Sequence, residues 1–422
     1  MYKDGGEAGL AHVPAHWDVC QLRRVIDRIE QGWSPECDSR PAETGEWGVL
    51  KSGCVNGGRF NPLENKALPS HFDAPLELEV KPGDLLMSRA SGSPALIGSA
   101  ALVGETPSKL LLSDKTFRLH VNERVQTRFL TWCLASRPMR DQIERAISGA
   151  AGLANNLPKS SLVEFIAAFP PVPEQRQISD YLDRETGKID ALLSEQEHLI
   201  ELLKEELQSL VVGAKYSQGV RELRLGSAAD LCIRPVEQKS AELYRPLGLF
   251  NRGRGIFHKD AREMSEMGDS DFFWVRSGDL IISGQFAWEG AVGLAGENED
   301  GCVVSHRYPV LRGRHGVALT EYIFALLLTR HGDFMLAENS WGAAGRNRPL
   351  NIGHLMKEPI WVPDERTQQV VASAVHGIRH LEPAIAKQRE LLLERRSTLI
   401  AAAVTGKIDV RDLAPQLEVV VA

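Results

Sequence analysis

No apolar run in this chain approaches the roughly 20 residues that a membrane helix needs. The opening MYKDGGEAGL also lacks the basic-then-apolar order of a secretory signal, so the protein is expected in the cytoplasm. Six cysteines (Cys20, Cys37, Cys54, Cys133, Cys232 and Cys302) are scattered without a Cys-x-x-Cys pair, which points to reduced, mostly buried thiols. Basic charge is short as well: 49 Lys and Arg stand against 56 Asp and Glu, a net charge of −7, and no segment is strongly basic. That argues against a non-specific nucleic-acid binder living on phosphate neutralisation, while leaving room for local basic clusters working beside a partner. Catalytic signatures are missing too. There is no G-x-x-x-x-G-K-[ST] phosphate loop, no G-x-S-x-G elbow, and Gly253-Arg254-Gly255 lacks the spacing of a dinucleotide turn. Pro170-Pro171 sit in FPPVP, not in the Asn/Asp-Pro-Pro-aromatic tetrad of an adenine N6-methyltransferase. His376 and His380, four apart, lack a glutamate between them and a third ligand. The chain is read as having no catalytic centre and no metal site of its own.

What is present is a duplication. Gly83-Asp84-Leu85 with Ser88 returns 195 positions later as Gly278-Asp279-Leu280 with Ser283. Gly149-Ala150-Ala151-Gly152 returns as Gly342-Ala343-Ala344-Gly345, and Thr127, Leu157 and Leu162 are matched by Thr320, Leu350 and Leu355. Val172-Pro173-Glu174 with Arg176 then aligns with Val362-Pro363-Asp364 with Arg366. A leucine-rich, charged helical pattern follows each copy. Two similar heads and two similar rods suit reading two sites at a fixed separation better than building one pocket.

In the first rod Ile189, Leu193, Gln196, Ile200, Leu203, Leu207, Leu210 and Ala214 alternate steps of four and three, a heptad seam. A helix from about Glu174 to Lys215 would run on the order of 60 Å at 1.5 Å per residue. The second rod gives Ile378, Leu381, Ile385, Gln388, Leu392 and Leu399, a poorer seam, with Arg395 near it and Pro383 expected to end or kink the helix. The first-rod positions Ile189, Leu192, Leu203 and Leu210 map onto Ile378, Leu381, Leu392 and Leu399. Two equivalent units most simply pack about a pseudo-two-fold axis, with the rods antiparallel and the end of the second, near Ala403 to Thr405, back beside His16 to Leu22. The expected fold is α+β: two similar mixed α/β heads separated by two long antiparallel coiled-coil helices. Each head is expected to carry short strands such as 84–88 and 279–283 and one clear helix, Thr127–Ala135 or Thr320–Thr329, opened by a capping threonine.

Polar side chains on loops are the remaining candidates for chemistry. Arg252, Arg254, His258 and Lys259 cluster in NRGRGIFHKD. Arg346, Asn347 and Arg348 follow the second Gly-Ala-Ala-Gly, as Asn155, Asn156 and Lys159 follow the first. Lys51, Asn56, Arg59, Arg89, Gln285 and Trp288 complete the candidate DNA-binding set. Arginine, lysine, asparagine and glutamine can bond base edges in the major groove, and glycine lets a backbone approach phosphate.

Pro170-Pro171-Val172-Pro173-Glu174-Gln175-Arg176-Gln177-Ile178 leads into Glu185-Thr186-Gly187-Lys188-Ile189-Asp190-Ala191-Leu192 and then Leu199-Ile200-Glu201-Leu202-Leu203-Lys204-Glu205. The second copy carries Val362-Pro363-Asp364-Glu365-Arg366 and Ile400-Ala401-Ala402-Ala403-Val404-Thr405-Gly406-Lys407-Ile408-Asp409. With these motifs the chain resembles the DNA-specificity subunits of type I restriction-modification systems, from His16-Trp17 to about Arg411. The resemblance implies target-recognition domains at 1–168 and 220–361, with conserved long-helix regions at 169–219 and 362–422. It implies double-stranded DNA as ligand, each head reading half of a split, asymmetric target. It further implies two methylation subunits as partners, as in similar proteins, and restriction subunits recruited through them. S-adenosylmethionine, ATP and Mg would sit on those partners, with no cofactor in this chain. A non-catalytic coiled-coil scaffold without base-specific DNA contact is the alternative reading.

Overall fold

The computed structural model describes residues 2–6, 10, 12–147, 155–237, 243–268, 270–342 and 348–411. Two compact units organise the chain, residues 1–193 with 388–422, and residues 194–387. In unit 1 the main sheet runs Ile26–Gln31, Thr116–Val121, Leu85–Ser88, Ala100–Leu102, with every neighbouring pair antiparallel. Unit 2 has the same order in Ala229–Leu231, Val310–Gly313, Leu280–Ile282, Val292–Leu294. The two apolar runs anticipated as strands are central because both faces are covered. Leu85 and Met87 enter one core and Leu86 another; Leu280 and Ile282 enter one and Ile281 another.

The repeated Gly-Asp-Leu is a structural turn. Gly83 and Gly278 take φ of 93° and 84°, a left-handed conformation that glycine adopts at little cost. Asp84 then accepts from the Lys81 amide at 2.9 Å and from Arg118 at 3.0 Å. Asp279, fully buried, accepts from the Arg276 amide at 2.8 Å, from Arg312 at 3.0 Å and from Arg234 at 2.6 Å. A buried carboxylate is tolerated because two guanidiniums and a backbone amide replace its water.

Each head closes with a two-stranded ribbon, Asp18–Gln21 against Ile166–Phe169 and Arg221–Arg224 against Pro359–Val362, whose second strand delivers the chain to a long helix. The long helices are Val172–Ala214, 43 residues, and Glu365–Val404, 40 residues. Gln175 is buried one turn into the first, where its amide donates to the carbonyls of Pro170 at 2.8 Å and Arg124 at 2.9 Å and accepts from the Gln126 amide at 2.7 Å. Gln368 repeats every bond with Pro363 at 2.9 Å, Val317 at 3.2 Å and the Leu319 amide at 2.7 Å. Pro170 is therefore the counterpart of Pro363, and Gln175 of Gln368. This corrects the motif match of Val172 with Val362, which is three residues out of register. The shared valine-proline pair misled the alignment, whereas the buried glutamine fixes it.

The helices are antiparallel within each unit. In unit 1, Asp190 meets Arg396 at 3.3 Å, and Ile178 and Leu182 share a core with Ile400, Ala403 and Val404. In unit 2, Lys204 meets Glu382 at 2.7 Å, and Leu207, Val211 and Ala214 share a core with Val371, Val375 and Ile378. The first-rod seam stands, since all eight of its positions are buried or half-buried. The second departs from expectation. Leu381 and Gln388 are exposed, and Arg396, not Arg395, is the half-buried arginine. Pro383 lies inside the uninterrupted helix. Proline forfeits one backbone bond there, and packing on either side holds the helix through it.

Two further expectations change. Each head has a helical pair, Thr127–Leu134 with Arg137–Ala146 and Thr320–Leu327 with Arg330–Glu338, where one helix was expected. Neither Thr127 nor Thr320 is a cap: the N-cap positions are Gln126 and Leu319, and their amides are served by Gln175 and Gln368. Thr329 does cap, accepting from the Gly332 amide at 3.2 Å. The expected return of the second long helix is found. Gly406, at φ 72°, lies where an added Cβ would be 2.3 Å from Pro14 and 3.3 Å from Trp17. Trp17 in turn donates to Glu174 at 3.1 Å, so the Pro-Glu-Gln motif holds the start of the chain as well.

Two outcomes follow from these contacts. Gln368→Ala orphans one amide and two carbonyls and should cost about 2–4 kcal/mol, measured as a lower denaturant midpoint for unit 2; an unchanged midpoint would remove the clamp from the account. Gly406→Ala should destabilise by about 1–3 kcal/mol. By contrast Gly377→Ala, in open space inside the helix that ends two residues before Gly406, should stabilise by up to about 1 kcal/mol; thermal melts that fail to separate the two would contradict the left-handed terminus.

Candidate nucleic-acid interface

Arg89 follows the central strand of unit 1, and the Leu157 amide donates to its carbonyl at 2.9 Å. That bond carries on the pairing of Asn155–Asn156 with Ala90–Ser91. Lys159 opens the next short helix and lies 5.7 Å above the Phe117 ring, with the Arg89 guanidinium 5.9 Å from the same ring. Four candidates from two distant stretches, Arg89, Asn155, Asn156 and Lys159, thus meet. Among the described residues the guanidinium makes a long 3.4 Å bond to the Asp114 carbonyl, and its stacking on an aromatic face orients it with little loss of reach.

Unit 2 brings the equivalent loops together with other side chains. The Leu350 amide donates to the Gly284 carbonyl at 2.8 Å, placing Arg348 beside the loop that carries Gln285 and Trp288. Arg348 lies 5.0 Å over the Trp288 ring, and the Trp288 indole donates to the Gln285 carbonyl at 3.2 Å. Arg346 and Asn347 lie outside the described residues, as does all of both Gly-Ala-Ala-Gly segments except Gly342.

The other candidates separate from these groups. Arg252 and Arg254 line an open cleft of about 1140 Å³ with Trp288, Phe334, Glu289 and Asp333. Arg252 sits at φ 58°, and Arg254 stacks 5.6 Å from Phe250. Burial pushes the Asp333 carboxyl above its ordinary value. Lys259 and His258 face a different cleft, of about 540 Å³, with Arg262 and Arg307. In unit 1, Lys51 pairs with Glu64 at 3.5 Å, while Asn56 is exposed on the 52–58 turn. Arg59 is turned to the long helix, bonded to Asp190 at 2.6 Å. Pattern reading could not separate Arg59 from Arg89, because both are arginines in glycine-containing loops.

Two residues were passed over in the sequence. The Arg89 amide donates to the Lys115 carbonyl at 2.8 Å and the Gly284 amide to the Arg307 carbonyl at 2.6 Å, so each loop has an exposed basic neighbour. Their flanking residues differ, and only the strand register reveals that they correspond. Among the described residues no group of His, Cys, Asp or Glu could hold a metal, and no helix is long and apolar enough to cross a membrane. All six thiols are free; burial pushes that of Cys54 up to about 12, which leaves it unreactive at neutral pH.

The fold belongs to a class already seen in solved structures. A chain from work on complex assembly and conformational transition of the type I R-M system aligns with TM-score 0.52 at 16% identity, covering 94% of this chain and 99% of that one. The type I restriction-modification S subunit from M. genitalium covers 93% and 96%, with TM-score 0.49 and 14% identity. In sequence, the chain is 32% identical over 168 residues to the Type I restriction enzyme EcoEI specificity subunit of Escherichia coli, 39% of this chain. The match spans 28% of the length of that relative. No family model matches. The resemblance carried by the sequence motifs is thus met by a curated relative of the same kind.

If the loop groups face DNA, Arg89→Ala should weaken binding by about 1–3 kcal/mol, whereas Arg59→Ala should leave affinity unchanged and lower the stability of unit 1 instead. Filter binding alongside thermal melts reads both; the opposite pattern would exchange their roles.

Proposed function

We propose that this chain is a sequence-specific DNA-binding specificity subunit of a type I restriction-modification complex. It reads a bipartite, asymmetric target and positions methylation and restriction subunits on it. The recognition domains are 1–168 and 220–361, and the conserved long-helix regions are 169–219 and 362–422. One observation carries this reading: the same framework is built twice, and the loops at the same place in each copy hold different side chains. Arg89 stands where unit 2 has Gly284, Asn155–Asn156 where it has Arg348-Pro349, and Lys159 where it has Ile352. Direct readout requires such differences when the two half-sites differ, because each base pair presents its own donor and acceptor pattern. A scaffold that only paired proteins would have no use for them. The curated relative, itself a specificity subunit, supports the same reading.

Chemistry belongs to the partners in this proposal. S-adenosylmethionine, ATP and Mg are held by the methylation and restriction subunits, and two methylation subunits match the duplicated frame. The test is a map of N6-methyladenine in DNA from cells expressing the chain with its methylation partner. Exchanging residues 20–165 for those of a relative should change one half of the methylated sequence and leave the other. If both halves change the heads are not independent readers, and if methylation continues without this chain the specificity reading falls in favour of the scaffold.

A further inference from the structure

We infer that Lys115 and Arg307 are a matched pair of DNA-phosphate anchors, one beside each reading loop, which register both halves of the protein on the duplex in the same way. The inference rests on the DNA-reading function proposed above and assigns residues within it that carry affinity without sequence information.

Strand register makes them counterparts. Leu85 pairs with Leu119 and Ser88 with Thr116, which sets Arg89 opposite Lys115. Leu280 pairs with Leu311 and Ile281 with Val310, which sets Gly284 opposite Arg307. The amide of the loop's first residue bonds the carbonyl of the basic residue in both units, at 2.8 Å and 2.6 Å. Each cation is therefore fixed by the backbone to the edge of a loop that differs between the units. Both side chains are exposed.

The pair keeps its charge where its neighbours do not. Arg89 corresponds to Gly284, Arg128 to Glu321, Arg140 to Asp333 and Lys159 to Ile352, whereas other kept cations lie elsewhere: Lys81 and Arg276 in the turn before the central strand, and Arg137 and Arg330 at the start of the second helix of each pair. A protein reading two different half-sites must change the residues that touch bases. It need not change those that touch phosphate, since the sugar-phosphate backbone is the same in both halves. A cation kept at the rim of a loop that has otherwise diverged fits the second role. Arginine for lysine is no obstacle, because both donate to phosphate. In unit 1 Lys115 lies 3.3 Å from Asp114, a half-exposed pair that a phosphate competes with.

The test uses the chain assembled with its methylation partner, titrated against the duplex it methylates and a scrambled duplex at several salt concentrations. Lys115→Ala and Arg307→Ala should each weaken both duplexes by the same factor, about three- to tenfold, and lower the slope of log affinity against log salt by about one. The double variant should lower it by about two. Asp114→Asn should strengthen binding to both. Exposed side chains are being removed, so melting temperatures should stay at the parent value, and Lys115→Arg should restore affinity. An unchanged slope in either single variant with parent binding intact overturns the anchor assignment and spares the reading. Loss confined to the methylated duplex makes the residue a base reader and also overturns it. A parent complex that binds neither duplex overturns the function and the anchors together.

Discussion

A buried amide at the start of each long helix is the constraint on which the rest depends. Gln175 and Gln368 each satisfy two carbonyls and one amide where strand, helical pair and long helix converge. These backbone groups are left over because the long helix has just begun and the head's first helix begins beside it, so neither can use its own ladder. One side chain settles both ends. Orientation follows, since the amide fixes where the long helix leaves the head, and the direction of departure decides which apolar stripe turns to the partner helix. Ile178 and Leu182 in unit 1, like Val371 and Val375 in unit 2, are buried as a result.

The frame is insulated from the loops. The aspartates of the Gly-Asp-Leu turns are tied to arginines, and the central strands are covered on both faces, so side chains beyond the strand ends can change at little cost to stability. Arg89 and Gly284 occupy one backbone position with one hydrogen-bond pattern and present different surfaces. A rigid frame with exchangeable rims is what base readout from two half-sites needs, because geometry has to stay fixed while donors and acceptors vary. On the proposed reading, affinity need not come from overall charge, which is negative; cations at the rims would supply it alongside backbone contacts made by partners.

The duplicated frame was legible in sequence for specific reasons. The strands at 85–88 and 280–282 are built on the apolar runs 85–87 and 280–282, and the first-rod seam from Ile189 to Ala214 has the period of a helix packed along one side. Both are local properties. The second rod was harder, since Pro383 breaks a local rule that packing overrides. The threonine caps failed because a glutamine some fifty residues away along the chain takes their role.

Composition and pattern alone therefore determined the class of the molecule: two copies of a head and a helix, no visible catalytic motif, and a family resemblance carried by the helix entries. Only the tertiary structure decided which loop residues meet. Arg89 joins Asn155 because a strand pairing closes a loop across the head, and Arg59 pairs instead with Asp190 on the long helix. Lys115 and Arg307 become counterparts only through their partners across the sheet. Periodicity reports burial along one element, whereas the composition of a surface depends on contacts between residues far apart in the chain. No local pattern encodes such contacts one residue at a time.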